Sequence, residues 1–468
     1  MCPETADRPA RRSAEVGFAI REWLRVPSRL ESGLRRLPFF YGWVIVAVAF
    51  ITMAVGITAR TAFSLLFPPI LEEFGWERGT TAGAFSAGFV VSAVLSPVIG
   101  RVMDRRGPRI VIVTGVAVMA AGFFLATVVS EPWHLYLTLG LLVGTGGNCL
   151  GYTAHALFLP NWFVHRRGLA MSVAFSGVGV GSIILLPWVG AVIEGLGWRA
   201  ACFALGVLVL TVLAPLNLLA KRRPEDLGLE PDGRPAPREG ASDLRAASVV
   251  DPSWTAVDWT LRRAMRTTRF WWIAVGYFAA MFAWYAVQVH QTKYLVEVGV
   301  SAAGAAWALG CVSLVAVPGQ IALGHVSDRI GREWVWTVGS LGFALCYLFL
   351  LLMSRDATPT LLSLMIVAQG TLGYSLTSVI GAIPAEIFAG RHYGTIFGTL
   401  MLAAIAGGAA GPWITGMLYD ATGSYTLAFA LAIGGCALSA VAIWLAAPRT
   451  VRAVAGRART VRAADRPS

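Results

Sequence analysis

The chain is dominated by long apolar runs that are separated by short polar segments. Twelve of these runs reach the length of about 20 mostly apolar residues that a membrane-spanning helix needs. They predict helices over residues 41–67, 79–101, 109–130, 135–159, 168–192, 198–220, 270–294, 301–324, 333–353, 360–386, 394–418 and 425–447. Because a helix pairs its own backbone polar groups, such runs cross a bilayer in helical form. The pattern therefore predicts an all-α membrane protein with twelve transmembrane helices.

A long polar stretch divides the predicted helices into six and six. Each set is large enough to pack into a helical bundle of its own, so the sequence predicts two bundles joined by a loop. The predicted units are a basic tail over 1–40, a first bundle over 41–220, a central loop over 221–269, a second bundle over 270–447 and a basic tail over 448–468.

The central loop has two parts of different character. The first part holds Pro224, Pro231, Pro235 and Pro237, a composition that is typical of a linker. The second part, from Trp254 to Arg269, places apolar residues near one helical face and arginines elsewhere. This arrangement predicts a helix that lies on the membrane surface.

A short charged stretch recurs at the same place in the two halves. It reads Gly-Arg-Val-Met-Asp-Arg-Arg-Gly-Pro-Arg over 100–109 and Gly-His-Val-Ser-Asp-Arg-Ile-Gly-Arg over 324–332. Asp104 and Asp328 are 224 residues apart, and Pro160 and Pro384 repeat at the same offset. The repeat indicates two copies of one six-helix unit. Each charged stretch is predicted to be a hairpin between two helices, bounded by glycine.

Composition and charge favour a membrane protein over a nucleic-acid-binding one. Hydrophobic residues make up 56% of the chain and charged residues 14%, with a mean hydropathy of +0.65, whereas soluble domains carry about 25% charged residues. The net charge is +12, but the basic residues sit between apolar runs and form no binding face for nucleic acid. With the N-terminus inside, 33 of the 38 lysines and arginines are cytoplasmic, as the positive-inside rule requires.

The same charge distribution predicts a multi-pass protein with both termini in the cytoplasm. Residues 1–38 hold eight arginines and no apolar core of signal-peptide length, so the first predicted helix is expected to act as its own insertion signal. We expect a monomer in a bacterial inner membrane, with membrane lipids as its surroundings.

The sequence offers no catalytic centre. Its six cysteines are scattered without metal-ligand spacing. It contains no paired carboxylates, no nucleophile–base set and no phosphate-binding loop. We therefore expect no metal, no cofactor and no enzymatic activity.

The two charged stretches resemble the loop of the major facilitator superfamily, G-x-x-x-D-R-x-G-R. The second copy fits at Gly324, Asp328, Arg329, Gly331 and Arg332, and the first at Gly100, Asp104, Arg105 and Gly107, with Pro108 displacing the basic residue to Arg109. With the twelve helices, the resemblance covers residues from about 40 to about 447. It implies two halves related by a pseudo-two-fold axis along the membrane normal, with a transport site near the midplane between them.

The start of the fifth predicted helix resembles the monocarboxylate-porter group more narrowly. That group carries a pattern close to Y-F-x-K-R-R-x-L-A-x-G-x-A-x-A-G-x-x-x-G. The matching residues are Phe163, Arg166, Arg167, Leu169, Ala170, Ala174, Gly177 and Gly181, while Trp162, His165 and Ser172 depart from it. The resemblance, shared with the oxalate–formate exchanger group, implies a small carboxylate as substrate. One departure is that 301–324 contains neither an acid nor an arginine, so the acid–arginine scheme of proton coupling cannot simply be transferred.

The charged stretches suggest a gating role. An aspartate just after a spanning helix can face the N-terminus of a neighbouring helix, where unpaired backbone N–H groups favour an anion. The resemblance implies that such contacts cross the boundary between the halves and form only in the outward-open state. The predicted gating residues are Gly100, Asp104, Arg105, Arg109, Gly324, Asp328, Arg329 and Arg332. The alternative is a positive-inside anchor at a tight turn.

Arg60 is the leading candidate for binding a substrate anion. It lies deep in the first predicted helix, with no charged neighbour before Glu72. An arginine in lipid costs several kcal/mol, so it should face a cavity or a partner, and its planar fork matches a carboxylate. The alternative is that it snorkels to the outer interface.

His290 is the second candidate, and it is also a candidate for carrying a coupling proton. Counted from Phe40 and Phe270, Arg60 and His290 fall at equivalent depths, but the 224-residue offset pairs Arg60 with Trp284 instead. Further candidates are Gln291, which is next to His290, and Gln369 and Tyr374 in the tenth predicted helix. The last three are Asn148, Tyr152 and His155, whose spacing places them on one face of the fourth predicted helix. A side chain of this kind is more often engaged in an interhelical hydrogen bond than in a ligand contact.

Together these features predict a secondary transporter that carries a mono- or dicarboxylate by alternating access, either coupled to protons or by exchange. The alternative within transport is proton-coupled efflux of amphipathic drugs, which the aromatic seventh helix also fits but which usually relies on a buried acid in the cavity. A membrane sensor without transport is a third reading, although the polar segments are short for an output domain.

Overall fold

The computed structural model describes residues 39–76, 78–233 and 249–454, so most of both predicted tails and the middle of the central loop lie outside the described residues. Within them, eleven helices are long and apolar enough to cross a membrane. Numbered after the predicted helices, they are Gly42–Phe74 (span 1), Ala87–Arg106 (span 2), Pro108–Ala126 (span 3), Arg167–Leu196 (span 5), Trp198–Asn217 (span 6), Thr268–Glu297 (span 7), Trp307–Ile330 (span 8), Arg332–Met353 (span 9), Pro359–Ile387 (span 10), Tyr393–Thr422 (span 11) and Thr426–Thr450 (span 12). The all-α membrane class is confirmed.

The fourth predicted helix does not form one continuous span. The chain runs through a short helix at Pro132–Leu135, a π-helical segment at Tyr136–Leu142 and helices at Val143–Leu150 and Tyr152–Trp162. Gly151 interrupts the last two helices with extended backbone, at φ −94° and ψ −164°. Glycine tolerates such a break, and the glycine-rich sequence before it has weak helix propensity. We call residues 132–162 span 4.

In both charged stretches the helix continues up to the residue before the glycine at which the chain turns. Asp104 lies inside the helix Arg78–Arg106, and Asp328 inside Ala302–Ile330. Gly107, with φ 81°, and Gly331, with φ 118°, then turn the chain directly into the next helix. A positive φ is strained for a residue with a Cβ, which explains the glycine at each turn. Each predicted hairpin is therefore a turn at one glycine, and the charged residues of the stretch lie in the helices on either side of it.

Four spans form the boundary between the two halves. Span 2 packs against span 11, and span 5 packs against span 8. Each of the four contains one internal proline, at Pro97, Pro187, Pro318 and Pro412. An internal proline removes a backbone hydrogen bond and favours a bend. Each of the four helices at the boundary therefore has a site at which it can bend.

Glycines bring the halves into backbone contact at the end that the basic residues assign to the cytoplasm. A Cβ at Gly100 would collide with the carbonyl oxygen of Gly394, and a Cβ at Gly324 would collide with Ser172. Small residues allow close approach of helices in a membrane. The two halves are therefore closed against each other at this end.

The end of the central loop differs from the single surface helix that was expected from Trp254 to Arg269. It forms two four-residue helices, Pro252–Thr255 and Leu261–Ala264. Trp254 donates a hydrogen bond from Nε1 to a carbonyl oxygen at the end of span 10, at 2.9 Å, and Trp259 packs edge-on against Phe388. These aromatic side chains anchor the segment to the second bundle, which leaves no continuous apolar face for lipid.

Candidate functional site

Asp104, in the last turn of span 2, contacts the beginning of span 11 in the other half. Its Oδ1 accepts a hydrogen bond from the N–H of Gly394 at 2.8 Å. Its Oδ2 accepts from the N–H of Thr395 at 2.8 Å and from the Thr395 hydroxyl at 3.0 Å. The first N–H groups of a helix lack partners within the helix and carry partial positive charge, so a carboxylate stabilises them. We call this contact the Asp104 cap.

Asp328, at the equivalent position in span 8, contacts the beginning of span 5. Its Oδ1 accepts from the N–H of Gly168 at 2.9 Å, and its Oδ2 accepts from the N–H of Leu169 at 3.1 Å. We call this contact the Asp328 cap. Both caps join one half to the other, with the same chemistry at both sides of the pseudo-symmetric molecule.

The Asp328 cap is reinforced by a buried ion-pair network. Arg332 is 2% exposed, and its Nη1 lies 2.7 Å from Oδ1 of Asp328. Its Nε donates to Oε1 of Glu386, in span 10, at 2.9 Å. A buried charge costs several kcal/mol unless it is paired, and here all three charges are paired. Arg332 thus links the ends of spans 8 and 10 within the second half.

The Asp104 cap has a different environment. At the offset of 224 residues, Pro108 stands in place of Arg332 and Trp162 in place of Glu386, so both members of the ion pair are replaced together. The Thr395 hydroxyl is an additional donor to Asp104. Of the remaining predicted gating arginines, Arg105 and Arg329 are exposed and Arg109 is half-buried. The two caps are thus unequal in burial and in partners.

Arg60 lies within the first bundle and does not snorkel to the interface. Its guanidinium carbon is 4.8 Å from the centre of the Phe89 ring in span 2, within cation–π range. A Cβ at Gly147 of span 4 would lie 2.7 Å from the Arg60 Cδ, so this glycine leaves the space that the side chain occupies. Its Nη2 is buried without a hydrogen-bond partner.

A small void lies beside Arg60. Its volume is about 10 Å³, and Phe63, Leu139 and Val143 are among the apolar side chains that line it. This volume is at the lower limit for one water molecule. An unmade hydrogen bond to a buried cation is costly, so the guanidinium retains a donor for which an anion would be a favourable partner.

Across the boundary, Arg60 faces Tyr285 of span 7. Phe89, which covers the guanidinium, packs edge-on against Tyr285 at 6.1 Å between ring centroids, so Tyr285 lies near Arg60. Tyr152 of span 4 and Tyr374 of span 10 also lie near Tyr285. We call Arg60, Tyr152, Tyr285 and Tyr374 the central cluster. It draws one residue from each of spans 1, 4, 7 and 10.

The second half completes the central cluster with an amide. The hydroxyl of Tyr374 donates to Oε1 of Gln288 at 3.2 Å, and the Tyr374 ring packs against Trp284 at 4.4 Å. Gln288 is exposed. A guanidinium, phenolic hydroxyls and an amide group offer donors to an anion with oxygen acceptors.

His290 does not reach the central cluster. Its Nε2 lies 3.0 Å from the carbonyl oxygen of Pro412, and its Nδ1 lies 3.3 Å from the hydroxyl of Tyr425. Counting from Phe40 and Phe270 predicted that Arg60 and His290 lie at equivalent depths and could meet. The structure does not bring these two side chains together, so this alignment of spans 1 and 7 is wrong. The 224-residue offset, which pairs Arg60 with Trp284, comes within one residue of the observed neighbour, Tyr285.

Gln291 and Gln369 bind to each other in the interior of the second bundle. Nε2 of Gln291 donates to Oε1 of Gln369 at 2.8 Å and lies 2.8 Å from the Sδ of Met365. Both glutamines are buried. The contact links spans 7 and 10, and a role of these side chains in substrate binding stays a prediction.

Asn148, Tyr152 and His155 do not share the helical face that their spacing predicted. The break at Gly151 separates Asn148 from the other two. Asn148 donates to the carbonyl oxygen of Ser92 at 3.0 Å in span 2, while the Nδ1 of His155 lies 3.0 Å from the carbonyl oxygen of Gly151. Only Tyr152 belongs to the central cluster.

Five side chains of these sites were not singled out from the sequence: Phe89, Tyr285, Gln288, Glu386 and Thr395. Tyr285 directly follows Trp284, so the 224-residue offset was a usable signal for it. No pattern marks Glu386 or Thr395, because their importance comes from contacts with residues that lie far away in the chain.

The sequence of this chain matches a known family. The profile of the Major Facilitator Superfamily matches residues 47–297 and 273–466. The chain is similar to monocarboxylate transporter 13 of Rattus norvegicus, with 28% identity over 396 residues that cover 84% of this chain and 86% of the relative. It is also similar to monocarboxylate transporter 12 of Homo sapiens, with 26% identity over 406 residues that cover 84% and 77%.

Solved structures show the same fold. The E. coli fucose:proton symporter FucP superimposes with a TM-score of 0.65 at 16% identity, covering 86% of this chain and 98% of that one. The proton:xylose symporter XylE gives a TM-score of 0.65 at 13% identity, covering 90% and 99%. At these identities the likeness shows the fold alone, and it extends over both halves.

Proposed function

This chain belongs to the Major Facilitator Superfamily of secondary transporters, and from that premise we propose that it carries a small organic anion, a mono- or dicarboxylate, by alternating access. The observation that carries the proposal is the guanidinium of Arg60, whose buried Nη2 retains an unpaired donor and which packs on Phe89, a neighbour of Tyr285 in the other half. The similarity to monocarboxylate transporters supports the same substrate class.

In this proposal Arg60 binds the carboxylate and the tyrosines of the central cluster orient it. A carboxylate accepts two hydrogen bonds from one guanidinium, and in a low-dielectric site such a pair is strong. Tyr152 and Tyr285 then offer hydroxyl donors from both halves, and Tyr374 can add a third when it gives up its hydrogen bond to Gln288. A substrate held in this way contacts both bundles, so each conformation of the transporter can present it to one side of the membrane.

The Asp104 and Asp328 caps control access from the cytoplasm. Both caps join the halves at that end, so both must break when the cytoplasmic side opens. A carboxylate at a helix N-terminus contributes about 1–2 kcal/mol in a partly buried setting, and 1.4 kcal/mol shifts an equilibrium tenfold. Caps of this strength bias the transporter towards the state with a closed cytoplasmic side without locking it there.

The orientation is part of the proposal. With 33 of the 38 lysines and arginines on the side of the N-terminus, both termini are cytoplasmic. The bacterial inner membrane and the monomeric state that we expect from the sequence stay predictions.

Uptake into proteoliposomes tests the substrate class. Vesicles that contain the purified protein are given radiolabelled lactate, pyruvate or oxalate, with and without an imposed pH gradient, and in parallel after loading with unlabelled substrate. Stimulation by the pH gradient indicates proton coupling, and stimulation by internal substrate indicates exchange.

The variants Arg60→Ala and Arg60→Lys identify the role of the guanidinium. We expect Arg60→Ala to lower uptake by at least about tenfold, and Arg60→Lys to keep part of it, because lysine retains the charge and loses the fork. Arg355→Ala, at an exposed position, is the control. If Arg60→Ala carries all three anions as well as the wild-type protein does, Arg60 is not the anion site.

A further inference from the structure

A large basic cavity lies at the cytoplasmic end of the molecule, next to the Asp104 cap. Its volume is about 1060 Å³, and residues of both halves line it. The described lining includes eight arginines and two histidines, against two carboxylates, Asp104 and Glu386. A concave surface with this excess of positive charge concentrates anions.

Both carboxylates of the cavity already have partners. Asp104 accepts three hydrogen bonds from Gly394 and Thr395 in its cap. Glu386 accepts from the Nε of Arg332 at 2.9 Å. Two carboxylates face eight arginines, so the lining keeps an excess of positive charge although Asp104 attracts Arg222.

Five of the other arginines in the lining come from three separate segments of the chain. Arg101 and Arg105 project from span 2, Arg222 and Arg223 follow span 6, and Arg391 precedes span 11. Burial lowers the pKa of Arg222, and the neighbouring Arg223 and Arg391 lower it further, while Asp104 and Asp226 act in the opposite direction. These like charges repel one another, so a bound anion would stabilise the arrangement.

We propose that this cavity binds a multiply charged, phosphate-bearing anion, and that the bound anion holds the cytoplasmic side closed. Guanidinium groups pair with phosphate oxygens two at a time, and several of them converge here. Ligand pockets measure about 300–1,000 Å³, so the volume suits a ligand larger than a small carboxylate. The site shares no residue with the central cluster.

A bound anion favours the closed cytoplasmic side because the arginines that bind it lie on different parts of the chain. Arg101 and Arg105 belong to the first half, Arg222 and Arg223 follow it directly at the start of the central loop, and Arg391 belongs to the second half. An anion that contacts arginines of both halves keeps its full affinity only while the halves are together, so binding favours that state. This second part rests on the proposed alternating access, whereas the binding itself does not.

Calorimetric titration with inorganic pyrophosphate tests the site in the full chain. The protein is placed in nanodiscs of phosphatidylcholine, which carries no net charge. We expect saturable binding of one pyrophosphate that weakens as salt is added. The double variant Arg222→Gln/Arg391→Gln should weaken it by at least about tenfold, and Arg355→Gln, at an exposed outer position, should leave it unchanged.

A second pair of variants and a second disc composition complete the test. If the first double variant fails to fold, Arg101→Gln/Arg223→Gln removes two exposed charges from the same cavity. Discs that contain phosphatidic acid distinguish a lipid headgroup from a soluble anion. A thermal stabilisation by phosphatidic acid that needs the same arginines, without binding of pyrophosphate, assigns the site to a lipid phosphate.

The outcomes separate this proposal from the proposed function. Absence of binding in both disc compositions, or equal binding by the double variant and the wild-type protein, overturns the anion site. Pyrophosphate enclosed on the cytoplasmic side of proteoliposomes should slow carboxylate uptake. If no carboxylate is transported but pyrophosphate binds through these arginines, the site stands and the proposed function fails.

Discussion

At the scale of single residues, the sequence predicted which side chains are unusual but not what they contact. Arg60 stood out because an arginine in a long apolar run must find a partner or a cavity. Its neighbours Phe89 and Tyr285 come from spans 2 and 7, and no local pattern marks them. His290 stood out for the same reason, yet its ring is held by Pro412 and Tyr425 within the second bundle.

The caps give a prediction at this scale. Asp328→Asn removes one charge from a buried network and leaves Arg332 with Glu386 alone, whereas Asp104→Asn removes a half-buried charge that faces a helix terminus. We expect destabilisation of about 3 kcal/mol for Asp328→Asn and about 1 kcal/mol for Asp104→Asn. Thermal unfolding of the two variants and the wild-type protein in detergent shows which substitution lowers the transition temperature more.

The control for this comparison is Glu194→Gln, at an exposed position in span 5, which should not shift the transition. Equal effects of the two aspartate variants would contradict the view that the caps differ in strength.

At the scale of elements, hydrophobic length was sufficient for most spans and failed where backbone geometry intervenes. Eleven of the twelve predicted helices form continuous spans in the part of the chain that the structure describes. The exception, span 4, breaks at Gly151, because an apolar run does not reveal where a glycine leaves helical geometry. The helices also extend beyond the apolar runs to the charged residues at Asp104 and Asp328, since their last turns pack on another helix.

The contact between spans 2 and 11 gives a prediction at this scale. A Cβ at Gly100 would collide with the backbone carbonyl oxygen of Gly394, which cannot move aside as a flexible side chain does. We expect Gly100→Val to prevent closure of the cytoplasmic side while each bundle stays folded. Labelling of a cysteine placed at Thr399, which lies further along span 11 from the Gly394 contact, should become faster.

Gly310→Val is the matched control, because a Cβ at this position of span 8 meets no atom within 4 Å. Unchanged labelling in Gly100→Val, with slower or unchanged transport, would show that the backbone contact is not needed for closure.

At the scale of the whole molecule, duplication predicted two equal halves, and the structure shows two unequal contacts between them. The caps repeat with the same offset and the same chemistry. The ion pairs of Arg332 with Asp328 and Glu386 lie within the second half, next to the Asp328 cap, and Pro108 and Trp162 stand at the equivalent positions next to the Asp104 cap. Sequence alone showed the missing counterpart of Arg332, as Pro108, but could not show that Trp162 replaces its partner as well.

Unequal contacts predict an unequal motion. Spin labels on the cytoplasmic ends of spans 2 and 11 should show a broader distribution of distances than labels on spans 5 and 8. The reason is that Arg332 holds the Asp328 carboxylate in position for its cap, whereas Pro108 stands at the equivalent position next to Asp104. The variant Arg332→Gln/Glu386→Gln should make the two distributions similar. Two equally broad distributions in the wild-type protein would contradict the prediction.

The buried ion pairs of Arg332 affect the order in which the two contacts at the cytoplasmic side open. We expect the contact between spans 2 and 11 to open first and the contact between spans 5 and 8 to open after it, because Arg332 holds Asp328 in position for its cap. A substrate that leaves the central cluster would then first meet an opening beside spans 2 and 11. A compound that binds between these two spans would block this first step and stop transport.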